Sequence, residues 1–164
     1  MSTLDFRTKI LTWSSLAAWR KSFRATGRKL VVTNGCFDIL HLGHASYLEQ
    51  ARNQGDVLLV GVNSDQGVRE LKGPTRPLND EGERAALLAA LQSVDFACVF
   101  PGKRAIDFLA TAQPDVYVKG GDYTLETLDQ QERAEVEKVG GQIVLIPFLP
   151  GRSTTGLLSK IQKL

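Results

Sequence analysis

Five short apolar runs alternate with helix-like segments along the 164-residue chain, and this alternation constrains the fold more than any other feature. Each run has the length and apolar content of a strand that is buried on both faces. Strands that alternate with helices in this way form a parallel sheet with right-handed crossovers. The sequence therefore predicts an α/β fold with a doubly wound, mainly parallel five-stranded sheet. The expected strands are residues 29–34, 56–63, 94–100, 115–119 and 142–147.

Helical periodicity accounts for most of the segments between these runs. An amphipathic helix around residues 14–25 carries Trp19 and Phe23 on one face, and we expect that face to pack on its own domain. With 43% hydrophobic residues, the chain suits a single domain over residues 1–164. The other expected helices are residues 45–53, 81–92, 104–112 and 130–139, and a short C-terminal helix capped by Ser153 or Thr154.

Composition gives no support to several classes of partner. Twenty basic residues against eighteen acidic ones give a net charge of +2, which is too balanced to favour nucleic acid or an anionic membrane. No apolar stretch approaches membrane-spanning length. Cys36 and Cys98 each lie in an apolar run and make no disulfide framework, so we expect both to be reduced. The chain is predicted to be cytoplasmic, with no nucleic-acid or membrane partner.

Ligands of doubly wound sheets bind beyond the carboxyl ends of the strands, where the strand order reverses. The segment after the first strand holds both histidines of the chain, His41 and His44, between Gly35 and a helix start. Three residues apart, they lie on one side of the first turn, where free N–H groups and the helix dipole attract an anion. The alternative is a helix cap with a packed histidine. A zinc site is disfavoured because neither cysteine is placed to join it.

Three further segments carry groups suited to phosphate or nucleotide. Arg152 beside the hydroxyls of residues 153–155 predicts an anion cradle, although such hydroxyls also serve as plain helix caps. Lys72 lies in a segment rich in Pro and Gly, which predicts a loop that closes over phosphates, or else a solvated basic loop. The two glycines of residues 119–124 allow close approach of the backbone, and Tyr123 is placed to cover a base or sugar; a plain turn is the alternative.

Residues 35–44, G-C-F-D-I-L-H-L-G-H, resemble the G-x-F-D turn and H-x-G-H signature of the cytidylyltransferase-like nucleotidyltransferases. The resemblance implies a Rossmann-like nucleotidyltransferase fold in which His41 and His44 bind the nucleotide phosphates and stabilise charge as pyrophosphate leaves. Residues 152–155, R-S-T-T, resemble the second signature, I-S-S-T-x-I-R. Here Arg152 replaces the leading apolar residue, and Leu158 stands where the family has the trailing arginine. The phosphate contacts that this arginine makes in the family must therefore come from other residues in this chain.

Together the motifs and the resemblance assign the expected site residues. The catalytic set is His41, His44 and Lys72. The cofactor is Mg²⁺, which we expect the phosphates to hold, with no protein side chain as ligand. Expected contacts to the second substrate come from Asp38, Asn63, Lys72 and Arg76; Asp38 alternatively caps the turn that follows it. The expected nucleotide-binding residues are Asn34, Gly35, Cys36, Phe37, Asp38, Gly43, Lys119, Gly120, Gly121, Asp122, Arg152, Ser153, Thr154 and Thr155.

Residues 71–79, 118–124 and 150–155 resemble the branch of this family that uses ATP and heptose 1-phosphate. The resemblance implies adenylyl transfer from ATP to a sugar 1-phosphate, giving ADP-heptose and pyrophosphate for a lipopolysaccharide or other surface-glycan precursor. In many relatives a sugar kinase precedes this domain, but 164 residues leave no room for one, so a separate upstream kinase is expected. Relatives also suggest a homodimer. The alternatives are a cytidylyltransferase acting on glycerol 3-phosphate or a related alcohol phosphate, and a nucleotide-binding module without turnover.

Overall fold

Six parallel strands form one sheet in the computed structural model, which describes residues 5–147, 151 and 154–163. The strand order is β1-β4-β3-β2-β5-β6, and every neighbouring pair is parallel. The predicted α/β class and doubly wound parallel sheet are confirmed. The strands are β1 (Ile10–Leu11), β2 (Leu30–Gly35), β3 (Val57–Asn63), β4 (Phe96–Phe100), β5 (Val116–Gly120) and β6 (Gln142–Ile146).

Seven α-helices occur within the described ranges, and two short 3-10 helices at Phe6–Lys9 and Trp13–Ser15 precede them. None of these helices has both the length and the hydropathy needed to cross a membrane. The α-helices are α1 (Leu16–Arg24), α2 (Leu42–Arg52), α3 (Asp65–Lys72), α4 (Glu81–Ala89), α5 (Ile106–Ala112), α6 (Gln130–Lys138) and α7 (Thr154–Ile161).

The sheet has one strand more than the sequence predicts. β1 contains only two residues, Ile10 and Leu11, which pair with Ala97 and Cys98 of β4 at the edge of the sheet. A two-residue segment is too short for any alternation of burial to be read from the sequence. The five longer strands lie where the apolar runs predict them.

The prediction of a loop around Lys72 is wrong for the residues up to Lys72, because Lys72 is the last residue of α3. The loop covers residues 73–80. Ser64 begins the helix, and its side chain accepts a hydrogen bond from the backbone N–H of Gly67 at 3.2 Å. Glycine in a helix interior weakens the helical pattern in the sequence. Gly67 is nevertheless required, because a Cβ there would collide with the carbonyl oxygen of Gly102.

The core has two layers, one on each face of the sheet. One layer packs side chains of α2 and α4, such as Leu48 and Leu88, against the first face of β2 and β3. The other packs α1, α5 and α6 against the second face, and Phe108 occupies the space that a side chain at Gly61 would need. Leu16 and Phe23 of α1 are buried in this second layer. The amphipathic N-terminal helix therefore packs on its own domain.

The order of the strands defines where a ligand can enter. The chain builds β2, β3 and β4 outward in one direction and then returns to place β5 on the other side of β2. Strand order reverses between β2 and β5, so the backbones diverge beyond their carboxyl ends. Asn34 and Gly35 end β2, and Lys119 and Gly120 end β5, at the mouth of this opening.

Candidate active site

A groove of about 680 Å³ opens at the carboxyl ends of the strands. The structure brings most of the predicted site residues to its walls, although it leaves out His41, Gly43, Gly121 and Asp122. Arg152 and Ser153 lie outside the described residues. The predicted residues that line the groove are Asn34, Gly35, Cys36, Phe37, Asp38, His44, Asn63, Lys72, Arg76, Lys119, Gly120, Thr154 and Thr155.

The two histidines stack at the start of α2. His41 is the N-cap residue, and its carbonyl accepts the first helical hydrogen bond from the His44 N–H at 2.9 Å. The imidazole rings lie 3.9 Å apart, centroid to centroid, at an interplanar angle of 20°. Phe37 packs edge-on against His44 at 5.2 Å and has a left-handed φ of 48°, which is rare for a bulky residue. This strained turn brings the chain from β2 to the helix start.

His44 is the histidine that faces the groove, and it is held in the neutral form. Burial, with a smaller effect of the neighbouring His41, lowers the pKa of His44 from 6.5 to about 4. Its Nδ1 atom is buried and accepts or donates no hydrogen bond among the described residues. Because the ring of His44 lines the groove beside a helix N-terminus, it is suited to an anionic ligand, and a bound phosphate would favour a second proton on the ring.

Asp38 ties the turn after β2 to the loop of residues 73–80. Its Oδ1 accepts from the backbone N–H groups of Leu78 at 2.7 Å and Asn79 at 3.1 Å. Its Oδ2 accepts from Nε of Arg76 at 2.6 Å. Burial by itself would raise the pKa of Asp38, but these hydrogen bonds outweigh it and hold the pKa below its ordinary value. The carboxylate therefore stays charged and keeps Arg76 and the loop against the groove.

Arg84 of α4 joins the carboxyl ends of two strands from below. Its side chain is fully buried and donates to the carbonyl oxygens of Cys36 at 2.6 Å and Asn63 at 2.7 Å. It also donates to the carbonyl of Asn79 at 3.0 Å and pairs with the carboxylate of Asp65 at 2.9 Å. One guanidinium thus fixes the spacing between the ends of β2 and β3 and the loop that precedes α4.

A buried polar cluster forms the floor between β2 and β5. Nζ of Lys119 lies 3.0 Å from the Tyr117 hydroxyl, 3.0 Å from Oε2 of Glu132 and 3.3 Å from Oδ1 of Asn34. The Tyr117 hydroxyl lies 2.7 Å from Asn34 Oδ1 and 2.9 Å from Glu132 Oε2. Oε1 of Glu132 accepts from the backbone N–H of Ala105 at 3.1 Å. The cluster therefore joins the floor to the loop after β4.

The walls of the groove combine exposed cations with an aromatic side chain. Lys72 at the end of α3 and Lys103 and Arg104 after β4 are all exposed, and Arg104 pairs with Asp129 at 3.4 Å. Tyr123 lines the groove and is 42% exposed, so its ring is open to a ligand. The side chain that closely approaches the backbone of Gly120 is the ring of Tyr47, since a Cβ at Gly120 would lie 2.7 Å from that ring.

Sequence reasoning missed Arg84, Glu132, Lys103 and Arg104. For the two buried residues a signal exists: Arg84 precedes Leu88 by four positions, and Glu132 precedes Val136 by the same spacing. A charge on the apolar face of a helix indicates an ion pair, and the structure pairs both buried residues, Arg84 with Asp65 and Glu132 with Lys119. Lys103 and Arg104 are not among the predicted site residues, although they directly follow the third predicted strand, where ligands of this fold class bind.

No group of three or more His, Cys, Asp or Glu side chains placed to hold a metal ion occurs among the residues described. The groove offers amide, imidazole, ammonium and guanidinium groups, which bind phosphate oxygens, and each of its three carboxylates, Asp38, Asp129 and Glu132, is paired with a cation. This donor set fits Mg²⁺ only as an ion that enters together with the phosphates that hold it.

Comparisons with known proteins identify the family of this chain. The family model described as cytidylyltransferase-like matches residues 32–160. Bifunctional protein HldE of Geotalea uraniireducens is 49% identical over 158 residues, which are 96% of this chain and 32% of that protein. The same-named protein of Trichlorobacter lovleyi is 49% identical over 157 residues. This chain therefore spans about a third of the length of these curated relatives.

Two solved structures share the fold. A lipopolysaccharide core biosynthesis protein from Thermoplasma volcanium is 31% identical, with a TM-score of 0.62 over 75% of this chain and 98% of that one. A pantoate-beta-alanine ligase from Francisella tularensis is 18% identical, with a TM-score of 0.60 over 94% of this chain and 72% of that one. The second likeness concerns the fold alone.

We predict that His44 titrates well below an ordinary histidine. The free protein should take up a proton at His44 only as the pH falls to about 4, because burial penalises the charged ring. Since an unfolded histidine titrates near 6.5, this group should reduce stability as the pH falls from about 6.5 to about 4. The chain has two histidines, so an NMR titration of the imidazole protons resolves them. A midpoint near 6.5 for His44 would contradict the burial described here.

Arg84→Met is predicted to destabilise the protein strongly. The variant fills similar space but leaves three carbonyl oxygens and the Asp65 carboxylate without their donor. Breaking a buried charge pair from one side costs about 3 to 5 kcal/mol. Denaturant unfolding measures the change, with Arg133→Met on the partly exposed face of α6 as the matched control. Equal stability of the two variants would show that Arg84 does not hold the strand ends.

Proposed function

This chain belongs to the cytidylyltransferase-like family and is a nucleotidyltransferase, and we propose that it transfers the adenylyl group of ATP to heptose 1-phosphate. The products would be ADP-heptose and pyrophosphate, made in the cytoplasm as precursors of a surface glycan such as lipopolysaccharide. The observation that carries the proposal is the half-buried His44 at the N-terminus of α2, which lines a groove at the strand-order reversal.

The proposed chemistry is one in-line displacement at phosphorus. An oxygen of the sugar phosphate forms a bond to the α-phosphorus of ATP. The bond from that phosphorus to the oxygen that bridges the α- and β-phosphates breaks. The electron pair of the broken bond leaves on pyrophosphate, and no covalent enzyme intermediate is needed. Such a reaction is accelerated by positioning and by stabilisation of phosphate charge.

Residues of the groove supply both effects in this proposal. His44 and the first-turn N–H groups of α2 would hold the phosphates of the nucleotide, with His41 stacked behind the ring of His44. Mg²⁺, when bound, would neutralise phosphate oxygens during the displacement. Thr154 and Thr155 at the start of α7 lie on the same groove and add hydroxyl donors.

The acceptor phosphate would lie toward the exposed cations of the opposite wall. Lys72 and Lys103 carry charges that no described carboxylate neutralises, so they are suited to the phosphate of the second substrate. Asn63 is 2% exposed and holds the loop after β4 through its amide, which donates to the carbonyls of Gly102 at 3.3 Å and Lys103 at 3.1 Å. Its expected substrate role would therefore be exerted through this loop.

The relatives support the heptose assignment as a proposal for this chain. The relatives named HldE are bifunctional proteins, and the related Thermoplasma volcanium structure is that of a lipopolysaccharide core biosynthesis protein. A sugar kinase would have to supply the 1-phosphate that the reaction consumes. We further propose a homodimer as the working assembly.

Pyrophosphate release in the presence of Mg²⁺ tests the proposed reaction. Purified protein is offered ATP or CTP, each with heptose 1-phosphate or glycerol 3-phosphate. We expect turnover only with ATP and heptose 1-phosphate. Turnover only with CTP and glycerol 3-phosphate would keep the fold and mechanism but replace both substrates. A folded sample that binds nucleotide and turns over in no combination would favour the module without catalysis.

His44→Ala is predicted to reduce kcat by about 100-fold or more, because one preorganised donor to the transferred phosphates is lost. Glu49→Ala, on an exposed position of the same helix, is the control and should keep full activity. Circular dichroism checks that both variants are folded. Full activity of folded His44→Ala would remove His44 from the mechanism.

A further inference from the structure

All three N–H donors of Lys119 already have acceptors inside the protein. They are Oδ1 of Asn34, the Tyr117 hydroxyl and Oε2 of Glu132, at 3.0 to 3.3 Å. An ammonium group has three donors and no acceptor. Its charge is also balanced, since Glu132 pairs with it at 3.0 Å. Lys119 can therefore contact a ligand only by giving up a hydrogen bond in the floor of the groove.

This arrangement fixes the orientation of the Asn34 side-chain amide. An ammonium donor accepts nothing, so only the carbonyl oxygen of an amide can face it. The Oδ1 atom of Asn34 consequently points to Lys119 and Tyr117, and the Nδ2 amino group occupies the other side. Within the described ranges, nothing accepts a hydrogen bond from Nδ2, although Asn34 is only half-buried and lines the groove.

We propose that Asn34 contacts the bound nucleotide by donating from Nδ2 to one of its oxygen atoms, and that Lys119 and Glu132 are positioning residues which fix this amide. The inference rests on the proposed function, because it takes the nucleotide as the ligand of the groove. It assigns Lys119 an indirect part in nucleotide binding, exerted through Asn34.

The surroundings of Glu132 make it a rigid anchor for this purpose. The residue is 5% exposed, and its second oxygen accepts from the Ala105 N–H at 3.1 Å. The pKa of Tyr117 is held well above its ordinary value, first by burial and then by the charge of Glu132, so the phenol keeps its proton. The phenol thus remains a donor that faces Oδ1 of Asn34.

The first test replaces the donor with an acceptor of equal size. Asn34→Asp puts a carboxylate oxygen where Nδ2 was, while the other oxygen can still pair with Lys119. Mg-ATP binding, measured by calorimetry without the second substrate, should weaken by about 10-fold or more, since a hydrogen bond is lost and an anion faces the ligand. The melting temperature should not fall. Unchanged affinity for Mg-ATP would overturn the proposal.

A double-mutant cycle separates positioning from direct contact. If Lys119 acts only through Asn34, Lys119→Met should weaken Mg-ATP binding several-fold in the natural background and by less than about twofold in an Asn34→Ala background. An equal loss in both backgrounds would show that Lys119 touches the nucleotide itself. Because Lys119→Met leaves a buried carboxylate unpaired, Glu132→Gln is run through the same cycle as the second variant, with the same expected pattern.

Side-chain amide NMR gives a readout that does not depend on turnover. Mg-ATP should shift the Nδ2 proton signals of Asn34, whereas signals that stay in place at saturation would overturn the contact. A natural protein that binds neither Mg-ATP nor Mg-CTP would refute the proposed function itself. Normal Mg-ATP binding with an unaffected Asn34 would refute this inference alone.

Discussion

The buried guanidinium of Arg84 is the interaction on which the geometry of the groove depends. It links the backbone just past β2 to the end of β3 and to the loop before α4. A buried charge is tolerated when it is paired and hydrogen-bonded, and this guanidinium pairs with Asp65 and donates to three carbonyl oxygens. The spacing of the strand ends is thus set by a side chain that does not line the groove.

The charged groups near the groove divide into two classes with different tasks. Cations paired with carboxylates hold the scaffold, as in the pairs Arg84–Asp65, Arg76–Asp38 and Lys119–Glu132. Exposed cations on the walls, Lys72 and Lys103, supply charge that is available to a ligand. Because His44 is neutral in the free protein, attraction of an anion begins with these lysines and with the first-turn N–H groups of α2. Proton uptake by the ring would follow ligand binding.

The sequence predicts the long elements and the histidine motif because both depend on local patterns. The five longer strands are buried runs, and the glycine-flanked histidines mark a strand-to-helix turn whatever lies around them. β1 is too short to show an alternation of burial in the sequence. Gly67 weakens the helical pattern of α3 in the sequence, and the need for glycine there comes from a tertiary contact with Gly102. Arg84 and Glu132 bond with groups that are distant in sequence, so their partners follow only from the fold.

The central claim is that the phosphates of a nucleotide bind at the N-terminus of α2, beyond β2 and β5. A crystal structure with Mg²⁺ and a non-hydrolysable ATP analogue tests it most directly. The triphosphate is predicted to contact His44 and the first-turn N–H groups of α2, with the base or sugar toward Tyr123. A triphosphate bound elsewhere, such as in the basic groove between α1 and α5, would contradict the account.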